Sequence, residues 1–367
     1  MTTPNDGDAG ASRLVGMYED VELVLLLALR DAISKALEAD TPQARQRQLN
    51  ILLDTVAKQL NRVGGLVESQ AGRVAADEYD AAIRAVYEEV GVELQAGGVR
   101  SDVWRGISSE TAAALRSQHV MVAREIRDVY RQVTAATVKA ATVEGMDHPR
   151  ALQVALNRFA DKGITGFVDK GGRRWSIDVY ADMAVRTMRN NARQEGHLRG
   201  YEETGVELVR VSWHPASAPQ CFPFQNELLA ISGPAGPRVM VDPAKGRNVT
   251  VTVKATLADA IAAGYRHVNC KHRHTAYTPG DHTPTVPQVS EEENARQYEA
   301  TQRQRQIERT IRRWKKREAV ALQPDEAAYA KGKVKSWQAA QRSHVKNHAH
   351  LSRYSHREQI RTADRKP

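Results

Sequence analysis

Cysteine is nearly missing from this chain: 367 residues hold only Cys221 and Cys270. Two thiols cannot make a disulfide framework, so the chain is not built for an oxidising compartment. Aromatic residues are thin at 5%, although a hydrophobic content of 41% is adequate for globular folding. Long apolar runs are lacking too. The most apolar stretch, residues 21–29, is too short to span a bilayer and fits a buried helix face. The polar, acidic residues before Tyr18 offer neither a basic n-region nor an apolar h-region, so no secretory signal is expected there. A soluble protein made in a cytoplasm, with no membrane partner, is expected. Two catalytic signatures are also absent: the Gly-x-x-x-x-Gly-Lys-Ser/Thr phosphate loop and the Gly-x-Ser-x-Gly elbow. NTP hydrolysis and elbow-type hydrolysis lose their usual support, and no enzyme is expected.

What is present is unevenly distributed. Residues 301–367 carry 18 Lys+Arg against 6 Asp+Glu, a balance of +12, so residues 1–300 hold −3 of the whole chain's +9. A segregated basic segment fits a polyanionic partner, either nucleic acid or an acidic protein face. It fits equally a solvated helix within an assembly. The length suggests two or three domains.

The pattern predicts a mainly α protein with a small α+β domain. Residues 1–12, rich in Gly, Asp, Thr and Ala, read as disordered. Residues 13–162 read as a helical region: Leu49, Leu52, Leu53, Val56 and Leu60 recur at helical spacing, as do Leu115, Val122, Ile126, Val129, Tyr130 and Val133. Thr41-Pro42, Gly64-Gly65, Gly97-Gly98 and residues 145–149 divide this region into five or six expected helices.

Residues 163–280 form the expected α+β domain. A β-hairpin with a Gly171-Gly172 turn leads into a helix opened by Asp178 and closed at Gly196. Asp178, Asp182, Arg186 and Arg189 lie along that helix and read as salt-bridged surface. Strands follow at 208–213, 227–232 and 249–253, with a three-proline loop at 233–243. Thr256 caps a short helix that Gly264 ends. Residues 281–290 are a Pro-rich linker, and 291–367 a basic helical tail broken at Gln323-Pro324.

Both cysteines stand near histidine. One cluster holds His214 and Cys221, the other His267, Cys270 and His272. Thiolate and imidazole from two loops are the donors a tetrahedral Zn²⁺ prefers. His214, Cys221, Cys270 and His272 form the candidate quartet, with His267 as an alternative ligand. Four protein ligands leave no open position, so such a zinc is structural. The rival readings are two buried free thiols, and a nuclease in which His267, Asn269 and His272 place a divalent ion. Those three lie within six residues, closer than that chemistry needs. In the tail, Arg309, Arg312, Arg313, Lys315, Lys316 and Arg317 surround Trp314. Such a helix can contact DNA phosphates or pack Trp314 and Ile311 against a protein partner.

The order of several segments resembles the phage minor capsid protein 2 family, related to the MuF-type head morphogenesis proteins. The matching pieces are Thr165-Gly166-Phe167-Val168-Asp169, Gly172-Arg173-Arg174-Trp175-Ser176 and Tyr180-Ala181-Asp182-Met183-Ala184-Val185-Arg186-Thr187. His214-Pro215 with Cys221, Asn269-Cys270-Lys271-His272 before Pro279-Gly280, and the tail from Gln306 to Lys315 complete them. This chain departs from the family in having Cys221 where His is usual and Lys271 where Arg is usual; a His-to-Cys exchange is one that a zinc ligand tolerates. The resemblance implies a virion structural protein at or near the portal vertex, acting in head assembly and DNA packaging or ejection. Its implied partners are the portal or major capsid protein, with packaged DNA reached through the basic tail, and its place is the virion after synthesis in the host cytoplasm. The alternatives are a metal-dependent DNA-processing enzyme and a zinc-supported DNA-binding module without catalysis.

Overall fold

The computed structural model describes residues 6–360, except 40, 95–101, 144–147, 163–164, 169–171, 173, 268–269 and 288. Among these residues there are eight α-helices and a minor β component of short strands, so the chain is mainly α with a small α+β part.

Helix α1 (Asp6–Leu37) turns Leu14, Tyr18, Val21, Leu25, Leu29 and Ile33 into the core. Its start corrects the expectation of disorder over 1–12, because Ala11 is already buried against the bundle; residues 1–5 lie outside the described residues. Helix α2 (Pro42–Val90) begins where Thr41 Oγ1 accepts the Ala44 N–H at 3.2 Å and Pro42 occupies the first turn. It ends at Gly91, whose φ of 74° closes the helix with a left-handed residue. Gly64-Gly65 lies inside α2 and does not break it. Each glycine costs about 1 kcal/mol in a helix, but the flanking Leu60, Val63 and Val67 are all buried. A Cβ on Gly64 would lie 3.3 Å from the His119 ring. That ring in turn bonds Tyr18 Oη at 3.1 Å.

Helices α3 (Val103–Val143) and α4 (His148–Lys162) complete this region, giving four described helices where the glycine pattern suggested five or six. The hairpin of β1 (Thr165–Val168) and β2 (Arg174–Ser176) forms as expected, antiparallel. Helix α5 (Ile177–Glu203) then runs past Gly196. Both Gly196 and Gly200 serve close packing on α2: a Cβ at 196 would fall on the Tyr79 carbonyl oxygen, and one at 200 would lie 2.9 Å from Val86 Cβ. Ile177, Ala181, Val185, Met188 and Ala192 share one core with α1–α4. The expected domain division at residue 163 therefore cuts through a single core.

Beyond α5, β3 (Leu208–Val211) is the centre of a four-stranded sheet. It pairs antiparallel with β4 (Leu228–Ala230) and with β8 (His274–Ala276), while β7 (Ala255–Thr256) lies parallel on β4. Strands β5 (Gly236–Asp242) and β6 (Arg247–Val253) form a separate hairpin. The segment read as a three-proline loop is thus largely a strand. A two-stranded ribbon has free edges, so Pro237 can sit there without breaking an interior ladder. Helix α6 (Leu257–Ala262) starts with the expected Thr256 cap, which accepts the Asp259 N–H at 3.0 Å.

Ser290 caps α7 (Glu291–Val320), and α8 (Pro324–Lys346) folds back on it through Ile307, Ile311, Trp314, Ala330 and Val334. This arm is rooted in the helical body. Val320 joins the main core, Arg30 donates to the Ala319 carbonyl, and Leu322 N–H donates to Gln153 Oε1 at 2.7 Å.

Candidate functional site

Val86 of α2 and Tyr201 of α5 reach into a second core with Val209, Val211, Cys221, Phe224, Leu229, Leu257, Tyr265 and Cys270. The candidate site lies at the edge of this core, where the loop after β3 meets the segment between α6 and β8. Ser212 N–H donates to the Arg273 carbonyl at 2.8 Å, and Arg273 N–H returns to Ser212 Oγ at 2.9 Å. The start of α7 clamps the same loop: Ser217 N–H donates to Asn294 Oδ1 at 2.9 Å, and Asn294 Nδ2 donates to the Ser217 carbonyl at 2.8 Å. Tight turns set the sulfurs. Cys221 N–H bonds the Ala218 carbonyl, and Cys270 N–H bonds the His267 carbonyl.

Cys221 Sγ and Cys270 Sγ stand 3.8 Å apart, and His272 Nδ1 is 3.4 Å from Cys270 Sγ. All three residues are buried, with donor atoms within 4.8 Å of one another. The thiol–thiol hydrogen bond and burial push the Cys221 thiol up, while the same bond and the contact with His272 hold Cys270 below the usual thiol range. Burial lowers the His214 imidazole; it also brings the neighbouring His274 down to about 3.

Three of the four expected ligands thus converge. His214 packs its ring 4.2 Å from that of His272, centroid to centroid, but its donor atom is not among the three that cluster. His267 contributes its carbonyl to the Cys270 turn, and its ring is not in the cluster. Asn269, part of the nuclease reading, lies outside the described residues. Gln225 and Ser217, which face His272 Nε2 at 3.3 and 3.5 Å, had no signal in the sequence.

The basic set of the tail is divided, not presented as one surface. Arg309 and Arg313 are exposed, Arg313 lying 3.6 Å from Asp161. Arg317 forms a two-pronged pair with Asp161 and covers the Trp314 ring at 4.4 Å. Arg312 donates to the Arg357 carbonyl and Lys315 to Gln359. Lys316, expected to face DNA or a partner, is buried between Glu22 at 2.9 Å and Asp178 at 3.0 Å. The correction has a simple cause: the buried Asp178 carboxylate, with the Glu22 carboxyl beside it, demands a cation. Trp314 fills the α7–α8 interface and is likewise not an outward contact. Asp178 and Arg189, read as surface, also turn inward, Arg189 joining Arg193 on the buried Glu78. The exposed Asp182–Arg186 pair is as expected.

The family model for phage minor capsid protein 2 matches residues 3–346. A protein of Lactococcus phage LL-H described as "Structural protein" is 23% identical over 263 residues, covering 70% of this chain and 68% of that one. No solved structure matches. With a match over nearly its whole length, the chain belongs to the phage minor capsid protein 2 family and is a structural protein of the phage head.

Proposed function

We propose that this head protein works at or near the portal vertex, inside the capsid, contacting the portal or major capsid protein during head assembly and DNA packaging or ejection. It acts by binding and not by catalysis. The observation that carries this reading is the arrangement of the C-terminal arm. One face of α7 is anchored in the helical body through Val320 and Lys316, while Arg303, Arg309, Lys331, Lys335 and Arg342 remain exposed along α7 and α8. A fixed helical pair with outward cations suits a polyanion held close by, and packaged DNA is the polyanion of a phage head. Among the described residues no helix is long and apolar enough to cross a membrane.

Cross-linking mass spectrometry on intact virions tests the placement. Protein cross-links to the portal, with ultraviolet DNA cross-links in α7–α8 peptides, are expected; cross-links confined to tail proteins would overturn it. In solution, DNA affinity should fall with salt, and Arg309→Ala should reduce the salt slope by about 1. Magnesium-dependent cleavage of plasmid by the pure protein would instead favour a DNA-processing enzyme.

A further inference from the structure

The ring nitrogens of His214 and His272 can be assigned from their neighbours. Gln225 Oε1 accepts the His214 backbone N–H at 2.9 Å, which fixes it as the amide oxygen. The same oxygen lies 3.3 Å from His272 Nε2. An oxygen of this kind only accepts, so His272 Nε2 carries the proton and Nδ1, facing Cys270, keeps its lone pair. His214 repeats the pattern: Nδ1 lies 3.0 Å from the Pro215 carbonyl and must donate. Its Nε2 is then a lone pair, and that atom is buried without a hydrogen-bond partner. A buried acceptor left without a partner is destabilising. Imidazoles with one nitrogen donating to an oxygen and the other left bare are the arrangement metal ligands adopt.

The sulfur spacing supplies an independent observation. Two Zn–S bonds of about 2.3 Å at a tetrahedral angle place the sulfurs about 3.8 Å apart, and Zn–N of about 2.0–2.1 Å places sulfur and nitrogen about 3.5–3.6 Å apart. The corresponding separations are 3.8 Å for Cys221 and Cys270 and 3.4 Å for Cys270 and His272. A disulfide would need about 2.05 Å.

The geometry points to a structural Zn²⁺ bound by Cys221 Sγ, Cys270 Sγ, His272 Nδ1 and His214 Nε2, with Gln225 orienting the His272 ring and holding the His214 backbone. Rotation of the His214 ring, which packs at a tilt 4.2 Å from that of His272, centroid to centroid, completes the set. Binding releases the thiol protons to solvent and leaves the oxidation states of metal and sulfur unchanged. The ion ties the loop after β3 to the segment before β8, and through Ser217 and Asn294 it steadies the start of α7.

The test uses the full-length chain without a histidine tag, purified from zinc-supplemented cells. Elemental analysis should give about one zinc per chain, and cobalt reconstitution should give tetrahedral d–d bands with thiolate-to-metal charge transfer. His214→Gln and Cys270→Ser should each lose the metal. Gln225→Ala should retain it about 10–100-fold more weakly, as the loss of an orienting partner does, which keeps the test decisive if Cys270→Ser does not fold. Three results overturn the proposal: a metal-free wild-type chain whose melting is unmoved by zinc or chelator, a Cys221–Cys270 disulfide in the native protein, or unchanged zinc affinity in His214→Gln.

Discussion

Lys316 Nζ of α7 lies 3.0 Å from Asp178 Oδ2 at the start of α5, 138 residues earlier in the chain. Glu22 of α1 completes the group at 2.9 Å from the same nitrogen, so three elements meet on one buried ammonium. Burial alone would raise the Asp178 carboxyl, but Lys316 and the hydrogen bond with Glu22 hold it well below the carboxylate range. Burial and the neighbouring Asp178 charge raise Glu22 to about 8. Near neutrality the group therefore holds one carboxylate, one ammonium and one shared proton.

Removing the cation should be severe. Lys316→Met leaves a buried carboxylate without its partner and should cost about 3–5 kcal/mol. Denaturant unfolding checks the size, and faster protease cleavage within 281–290 checks that the arm has loosened. The double variant Lys316→Met/Asp178→Asn should lose less than the two single losses added together.

The proton on Glu22 should make stability pH-dependent in a defined direction. Its folded pKa of about 8 lies above the ordinary 4.5, so the folded state binds more protons between those values, and stability falls as pH rises through that window. Asp178, with a depressed value, contributes above the ordinary carboxylate range and loses its contribution only in acid. Lys316 is raised by its carboxylate partners against the pull of burial and keeps its contribution until strongly alkaline pH. His197, lowered to about 4 by burial and nearby arginines, and His274, lowered to about 3, act oppositely below about pH 6.5. The comparison with Glu22→Gln isolates the effect: the variant should gain in melting temperature relative to wild type from pH 5 to pH 8. A constant difference would contradict the shared proton.

Gly196→Ala and Gly200→Ala should each destabilise by about 1–3 kcal/mol through overpacking against Tyr79, Ala82 and Val86. Helix propensity alone predicts a gain of about 1 kcal/mol, so thermal melting distinguishes the two by sign.

Trp314→Ala should cost about 3–5 kcal/mol. The ring is buried against Ile311, Ala330 and Val334 and meets Tyr329 edge-on. Hydrogen exchange should show α8 losing protection before α2.

The elements whose periodicity reflects burial were legible in the sequence. The stripes of α2 and α3, the Ile307–Ile311–Trp314 stripe and the Thr256 cap are all present. Glycine misleads because its meaning depends on the partner: Gly64 and Gly196 are points of close approach within helices, and no local pattern separates these from breaks. The charges at Asp178 and Lys316 misled for a related reason. A buried ion group assembled from α1, α5 and α7 has no local spacing, and each member alone resembles solvated surface. Of the candidate site, the cysteines and His272 followed from residue type, whereas Gln225 became visible only when the fold set its amide oxygen against His272.

Lys316 is also a matter of timing. A ribosome releases the N-terminal helices long before α7 exists, and chains fold progressively from that end. Until α7 arrives, Glu22 and Asp178 have no cation between them, and the place where Val320 seats is uncovered. A nascent or truncated chain that lacks α7 thus keeps an incomplete core, and closure of α7 onto α1 and α5 is what completes it.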